Sequence, residues 1–384
     1  MIKLILTLLA VSTATAQQSN CKKVTFTLNG VAANKDLLNI SLNGTLDSIL
    51  NFYNNARLIA AEGTQIIKST FCSPTTRDDK NNARLQVLFH SITADRTAWS
   101  ALGGVGSNYE PYKPEVYSWV RYANGQGYPT LAIDRLGNGK SDHPDPILTV
   151  QASYEISLYH DLAMQIREGH PQLPSLYMHL VFVGNSYGSQ LGIGMAGTYP
   201  KAYDEYILTG VTSTPLKGFA GVGLVQAMPA QIVDPFRFAT LPVGYLTTAS
   251  EEGRTNAFFG SKAQVDYEDT VADLFFDRKD VVSIGQFVSI YAYPFNGTGF
   301  KGRVLLLDGE QDQPYCGPGS PVIGPAECGR QPRDTGVLFP DADYNYQTVD
   351  RVGHAVQEHV RSPVLFDIAH RFLAGENFGG GPPV

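Results

Sequence analysis

Short runs of consecutive apolar residues constrain this chain more than any other feature. Residues 85–91, 130–134, 180–183, 206–211, 303–307 and 346–349 each read as a strand with little alternation of polar and apolar positions. A strand with one wet face must alternate, so these runs need cover on both faces, as strands of a parallel sheet have. Between them, residues 152–168, 189–198 and 363–373 are amphipathic and of helical length. Strand and helix in turn predict a mostly parallel, doubly wound α/β sheet. Upstream, β-branched residues predict two further strands over 24–28 and 64–69, with a helix over 47–61.

The alternation breaks once. Residues 212–296 carry no clear strand but several apolar and aromatic stretches, which predict a helical cap inserted between two core strands. The expected organisation is a leader over 1–16, a first part of the core over 17–211, the cap over 212–296, and the rest of the core over 297–384. The chain of 384 residues thus forms one core with an insertion rather than two consecutive domains. The last ten residues, rich in Gly and Pro, are expected to fray.

The start of the chain addresses a compartment. Met1-Ile2-Lys3 is followed by an apolar run over 4–11 and by Ala14-Thr15-Ala16, a small-x-small cleavage pattern. This predicts a secretory leader cleaved after Ala16, since the run is too short to span a membrane. Four cysteines remain, an even number that suits an oxidising compartment. They allow three pairings, of which Cys316–Cys328 with Cys21–Cys72 is favoured because the segment between the first two is full of Gly and Pro. Sequons at Asn39, Asn43 and Asn296 are candidate N-glycosylation sites.

Lys and Arg number 29 against 36 Asp and Glu, a net charge of −7. That lacks the basic footprint of a nucleic-acid partner. No cofactor is expected. Gly139-Lys140-Ser141 resembles the end of a Walker loop, but the required first glycine is replaced by Asp134. Gly103-Gly104-Val105-Gly106 lacks dinucleotide spacing, and no metal-ligand cluster is visible.

The chemistry centres on Gly184-Asn185-Ser186-Tyr187-Gly188, directly after one predicted strand and before a predicted helix. A strand–turn–helix G-x-S-x-G lifts a serine hydroxyl to the carboxyl edge of the sheet. A free hydroxyl is a poor nucleophile and needs a base held by an acid, which follow it in chain order. Asp312 lies in a polar loop just past the strand over 303–307, with Asp308 and Glu310 as rivals. His354 follows the last strand behind Gly353, ahead of His359 and His370. Ser186, Asp312 and His354 are therefore the expected triad.

These motifs resemble the α/β-hydrolase superfamily, in particular the lid-bearing branch of esterases, lipases and carbon–carbon bond hydrolases, and its secreted fungal members. The resemblance spans residues 85–373. It includes Asp134-Arg135-Leu136-Gly137-Asn138-Gly139-Lys140-Ser141, which is similar to the family's D-x-R-G-x-G-x-S loop but with Leu136 placed between Arg135 and Gly137. It implies an oxyanion hole from the backbone N–H groups of Tyr187 and Ile92. The family's His-Gly-x there reads His90-Ser91-Ile92, and His90 is expected to anchor the loop rather than react. Phe258, Phe259, Phe275, Phe276 and Tyr291 are candidate lining residues from the cap.

Together these features predict a secreted serine hydrolase acting on a small, apolar carboxylic ester or similar acyl substrate. Amidase or peptidase, lactonase and carbon–carbon hydrolase or lyase chemistry use the same scaffold, and a catalytically silent binding protein is the reading from another class.

Overall fold

The computed structural model describes residues 20–42, 45–214, 226–317, 326–379 and 381–384. The expected leader and the sequon asparagine Asn43 lie outside them. The core is an eight-stranded sheet in the order β1-β2-β4-β3-β5-β6-β10-β11. Its strands are β1 (Cys21–Lys35), β2 (Leu58–Cys72), β3 (Arg84–Phe89), β4 (Thr130–Ile133), β5 (His179–Asn185), β6 (Glu205–Thr209), β10 (Arg303–Gly309) and β11 (Asp343–Val349). From β4 to β11 all neighbours run parallel, whereas β1 and β2 form an antiparallel ribbon at one edge.

The helices used below are α1 (Leu46–Asn55), α2 (Trp119–Gly125), α3 (Ala152–Glu168), α4 (Tyr187–Thr198), α5 (Glu251–Phe258), α6 (Asp269–Asp277), α7 (Ile284–Ala292) and α8 (Ser362–Leu373). The continuous apolar runs are explained by the two layers they face. Leu85, Val87, Phe89, Leu180 and Phe182 join the core beneath α3 and α4, while Leu88, Val181 and Val183 join the core beneath α2 and α8.

Three local expectations change. The first two strands each extend to fifteen residues, and α1 stops at Asn55 so that residues 58–62 can pair with 31–35. Pairing partners outweighed a helical pattern there. Residues 212–296 also hold a small antiparallel sheet of β7 (Ala227–Pro229), β8 (Tyr245–Thr248) and β9 (Val282–Ser283), besides α5, α6 and α7. Strands of two to four residues are too short to show a period. Finally, the tail does not fray. It lies along β11, with the Tyr346 amide donating to Phe378, Val384 to Thr348, and Asp350 to Val384.

Both disulfides of the favoured pairing form. Cys21–Cys72 joins residues already paired in register at the ends of β1 and β2, and Cys316–Cys328 closes the loop after β10. Among the described residues no helix is long and apolar enough to cross a membrane.

His370 of α8 shows how the second layer treats charge. Its Nδ1 bonds to the Phe366 carbonyl at 2.7 Å, and its Nε2 faces the Gln86 amide at 3.1 Å, among Trp119, Tyr122 and Tyr128. Burial lowers its pKa from 6.5 to about 4. The unfolded chain therefore takes up this proton first as pH falls, and the folded state loses stability between pH 6.5 and 4. Wild-type protein should lose about 3 kcal/mol relative to His370→Gln between pH 7 and 4. Urea unfolding of the two at both pH values measures this, and a constant difference would refute it.

Candidate active site

Ser186 stands between the end of β5 and the start of α4 with φ 57° and ψ −121°. A non-glycine residue here carries about 1–3 kcal/mol of strain, and the surroundings must enforce it. They do so by close approach. A β-carbon on Gly184 would lie 2.6 Å from the Ser189 nitrogen, and one on Gly188 would lie 2.2 Å from the Phe89 carbonyl. The Ser186 amide is fixed to the Thr209 carbonyl at 2.9 Å. Both glycines of the motif are thus required by packing.

Asp312 follows β10 and caps a single helical turn, its Oδ1 accepting from the Tyr315 amide at 2.9 Å. Its Oδ2 lies 2.7 Å from His354 Nδ1. His354 leaves β11 behind Gly353, where a β-carbon would sit 2.1 Å from the Phe259 carbonyl. The imidazole lies over the carboxyl ends of β5 and β6, 3.2 Å from the space a β-carbon on Gly210 would fill. Asp312, His354 and Ser186 are all buried.

Tyr315, which the sequence did not single out, touches all three. Its amide holds Asp312, its ring stacks on His354 at 5.5 Å, and its hydroxyl hydrogen-bonds the Ser186 side chain. Burial pushes its phenol well up, so it stays neutral. No motif announces such a residue, because its contacts depend on how the Asp312 turn folds.

The rivals take other places. Asp308 accepts from the Gly309 amide at 2.9 Å rather than meeting histidine; burial and the neighbouring Asp312 carboxylate push its pKa far up. Glu310 accepts from the Gly329 amide. His359 accepts from the Gly353 amide at 3.0 Å, and burial lowers its pKa to about 4, so it braces the His354 loop as a neutral ring.

The loop after β3 is anchored as its residues suggested. His90 bonds through Nδ1 to the Ser91 carbonyl and through Nε2 to the Arg135 amide, and burial lowers its pKa far down. Ser91 in place of glycine does no harm, because the left-handed residue of this loop is Thr93, at φ 52°. Arg135 donates to the carbonyls of His90 and Ser91 and to Glu155. The Glu155 carboxylate also accepts from Tyr159, from the Tyr187 hydroxyl at 2.9 Å, and from Gln286. Leu136, between Arg135 and Gly137, is tied in by its backbone: its amide donates to Tyr159 and its carbonyl accepts from Gln286.

Of the five candidate lining residues, Phe258 packs 5.4 Å from His354, and Tyr291 lies near Tyr315. Phe275 packs on Phe258 and Phe259, Phe259 leans on Tyr267 and His359, and Phe276 lies under Lys279. Phe259 and Phe275 belong to the core, and Phe276 is half-buried at the surface of the insertion. Cavities of about 240 and 540 Å³ lie elsewhere, with no lining from Ser186, Asp312 or His354. Among the described residues, one group has metal-like spacing, Asp308 with Cys316 and Cys328. Those sulfurs form a disulfide and are not thiolate ligands.

Residues 67–364 match the alpha/beta hydrolase family. No curated protein sequence matches the chain significantly. Similar solved structures include an alpha/beta hydrolase fold protein from Chitinophaga pinensis, at 13% identity over 81% of this chain and 94% of that one, with a TM-score of 0.49. A thermophilic esterase from Thermogutta terrifontis is 13% identical over 80% and 94%, with a TM-score of 0.44. A carboxylesterase structure from Nitrososphaera gargenis is 14% identical over 80% and 94%, with a TM-score of 0.47. The eight-stranded, mostly parallel sheet and the match over residues 67–364 agree, and the chain belongs to the alpha/beta hydrolase family.

Proposed function

We propose that the protein is a secreted serine hydrolase that cleaves a small, apolar carboxylic ester through Ser186, His354 and Asp312. The observation that carries this is the strained backbone of Ser186, held at φ 57° and linked through Tyr315 to a buried Asp312–His354 pair. Strain of this kind persists only where neighbours enforce it, and here it presents a hydroxyl at the edge of the sheet.

In this reading Ser186 Oγ attacks the acyl carbonyl carbon while His354 Nε2 accepts its proton. His354 Nδ1 stays bonded to Asp312, which fixes the tautomer and stabilises the imidazolium. The same Nε2 proton then goes to the leaving alcohol, and water releases the acyl group by the reverse sequence. Tyr187 begins α4, so its amide has no partner within the helix and is available to the oxyanion. Ile92 supplies the second amide. Donors aimed at developing charge are each worth about 10²–10³ in rate.

The insertion over 212–296 acts as a lid that shapes the acyl pocket, with Phe258 and Tyr291 nearest the reacting atoms. The buried Ser186 supports a lid that must shift to admit substrate. Two disulfides support an oxidising destination, in keeping with the leader and with glycans at Asn39, Asn43 and Asn296.

A fluorophosphonate probe should label wild-type protein at Ser186, located by peptide mass spectrometry, and leave Ser186→Ala unlabelled. The same variant should lose at least about 10⁴-fold in kcat on p-nitrophenyl esters. Full activity in Ser186→Ala would end this reading. Asp312→Asn should lower kcat by about 10³–10⁴-fold with little change in KM, because the histidine loses its orienting acceptor.

A further inference from the structure

The insertion does more than lie over the site. Thr93, one residue beyond Ile92, has φ 52°, a conformation that a β-branched residue rarely adopts. Each group that holds it there comes from the insertion. Its amide donates to the Val281 carbonyl at 3.1 Å, and its carbonyl accepts from the Asp280 amide at 2.9 Å. Arg254 Nη1 donates to its hydroxyl at 2.6 Å, and Arg254 Nη2 donates to its carbonyl at 3.0 Å.

Arg254 is itself tightly placed. It is buried, donates through Nε to the Phe275 carbonyl at 3.1 Å, and reaches the Thr248 hydroxyl at 3.3 Å. Its guanidinium lies between the rings of Phe258 and Phe275, 4.8 and 4.0 Å from their centres. A planar fork serves two acceptors on one residue, which an ammonium cannot copy.

Phe258 lies four residues on, on the same face of α5. Its ring packs against His354, and its carbonyl accepts from the Ala355 amide at 2.8 Å. One turn of α5 therefore touches both the loop that carries Ile92 and the loop that carries His354.

We propose that Arg254 is a positioning residue that couples the seating of the insertion to the geometry of the oxyanion loop. With α5 seated, the two-point grip on Thr93 holds the strained turn and aims the Ile92 amide. With α5 lifted, Thr93 relaxes to negative φ and the amide turns away. Competence then arises only when the lid is closed. This rests on the hydrolase reading for its catalytic consequence, but the grip itself does not.

Arg254→Met keeps comparable bulk and removes the donors. It should lower kcat on p-nitrophenyl esters by about 10²–10³-fold, the range of a lost oxyanion donor, with KM changed less than about threefold. Amide exchange over residues 90–95 should speed at least about tenfold, while residues 179–186 stay protected. Adding Thr93→Gly should recover most of the lost kcat, because glycine takes positive φ without being gripped. Should Arg254→Met fail to fold, Arg254→Lys carries the test and should lose about tenfold, since it offers a point contact in place of the fork.

A kcat within threefold of wild type with unchanged exchange over 90–95 overturns the proposal. So does equal loosening of 179–186 with no recovery from Thr93→Gly, which marks a purely structural arginine. Wild-type protein without turnover or a Ser186 adduct overturns the hydrolase reading alone, and the exchange measurement still decides the grip.

Discussion

Glu155 and Arg135 form the buried ion pair from which the rest of the site is hung. Both side chains are excluded from water, and their contact is 3.0 Å. Burial pushes the Glu155 carboxyl up, while Arg135, Gln286, Tyr187 and Tyr159 pull it back. A buried pair adds little net stability, yet losing one partner costs about 3–5 kcal/mol because a charge is left stranded. Its value lies in what it fixes. Arg135 holds the carbonyls of His90 and Ser91, Glu155 holds the hydroxyl of Tyr187, and Gln286 ties in α7 from the insertion. Three segments far apart in sequence are thereby set in one frame.

A contact between two acids, Asp308 and Asp312, shapes the other end of the site. Burial first, and the neighbouring Asp312 carboxylate second, push the Asp308 carboxyl well above the usual carboxylate range. Of the two carboxyls, only Asp312 reaches the imidazole.

Legibility followed the range of the interactions. The apolar runs from residue 85 onward marked strands because both faces of each are buried, and the Ser186 motif was readable because its glycines answer to contacts within a few residues. Asp312 and His354 were found by their position after strands, and they meet at 2.7 Å. What escaped were residues whose roles exist only through distant partners. Arg254 looks like any helical arginine until Thr93 closes on it, and Tyr315 looks like any loop aromatic until the turn at Asp312 aims it. The full length of the β1–β2 ribbon escaped because the residues that the outer part of β1 buries, Gly30 and Asn34, are not apolar and so leave little pattern to read.

The two margins of the sheet share a property that follows from how they are finished. Along β1, alternate amides at Thr25, Asn29, Val31 and Lys35 donate to the side chains of Gln172, Asp161, Ser157 and Gln151. Along β11, the last residues of the chain fill the same need with backbone. An exposed strand edge is a template for pairing with another molecule. With these edge groups engaged, both margins of the sheet are poor templates for a strand from a second copy. Among the described residues, self-association is thereby steered away from the ladder of the main sheet and towards the helices and the insertion.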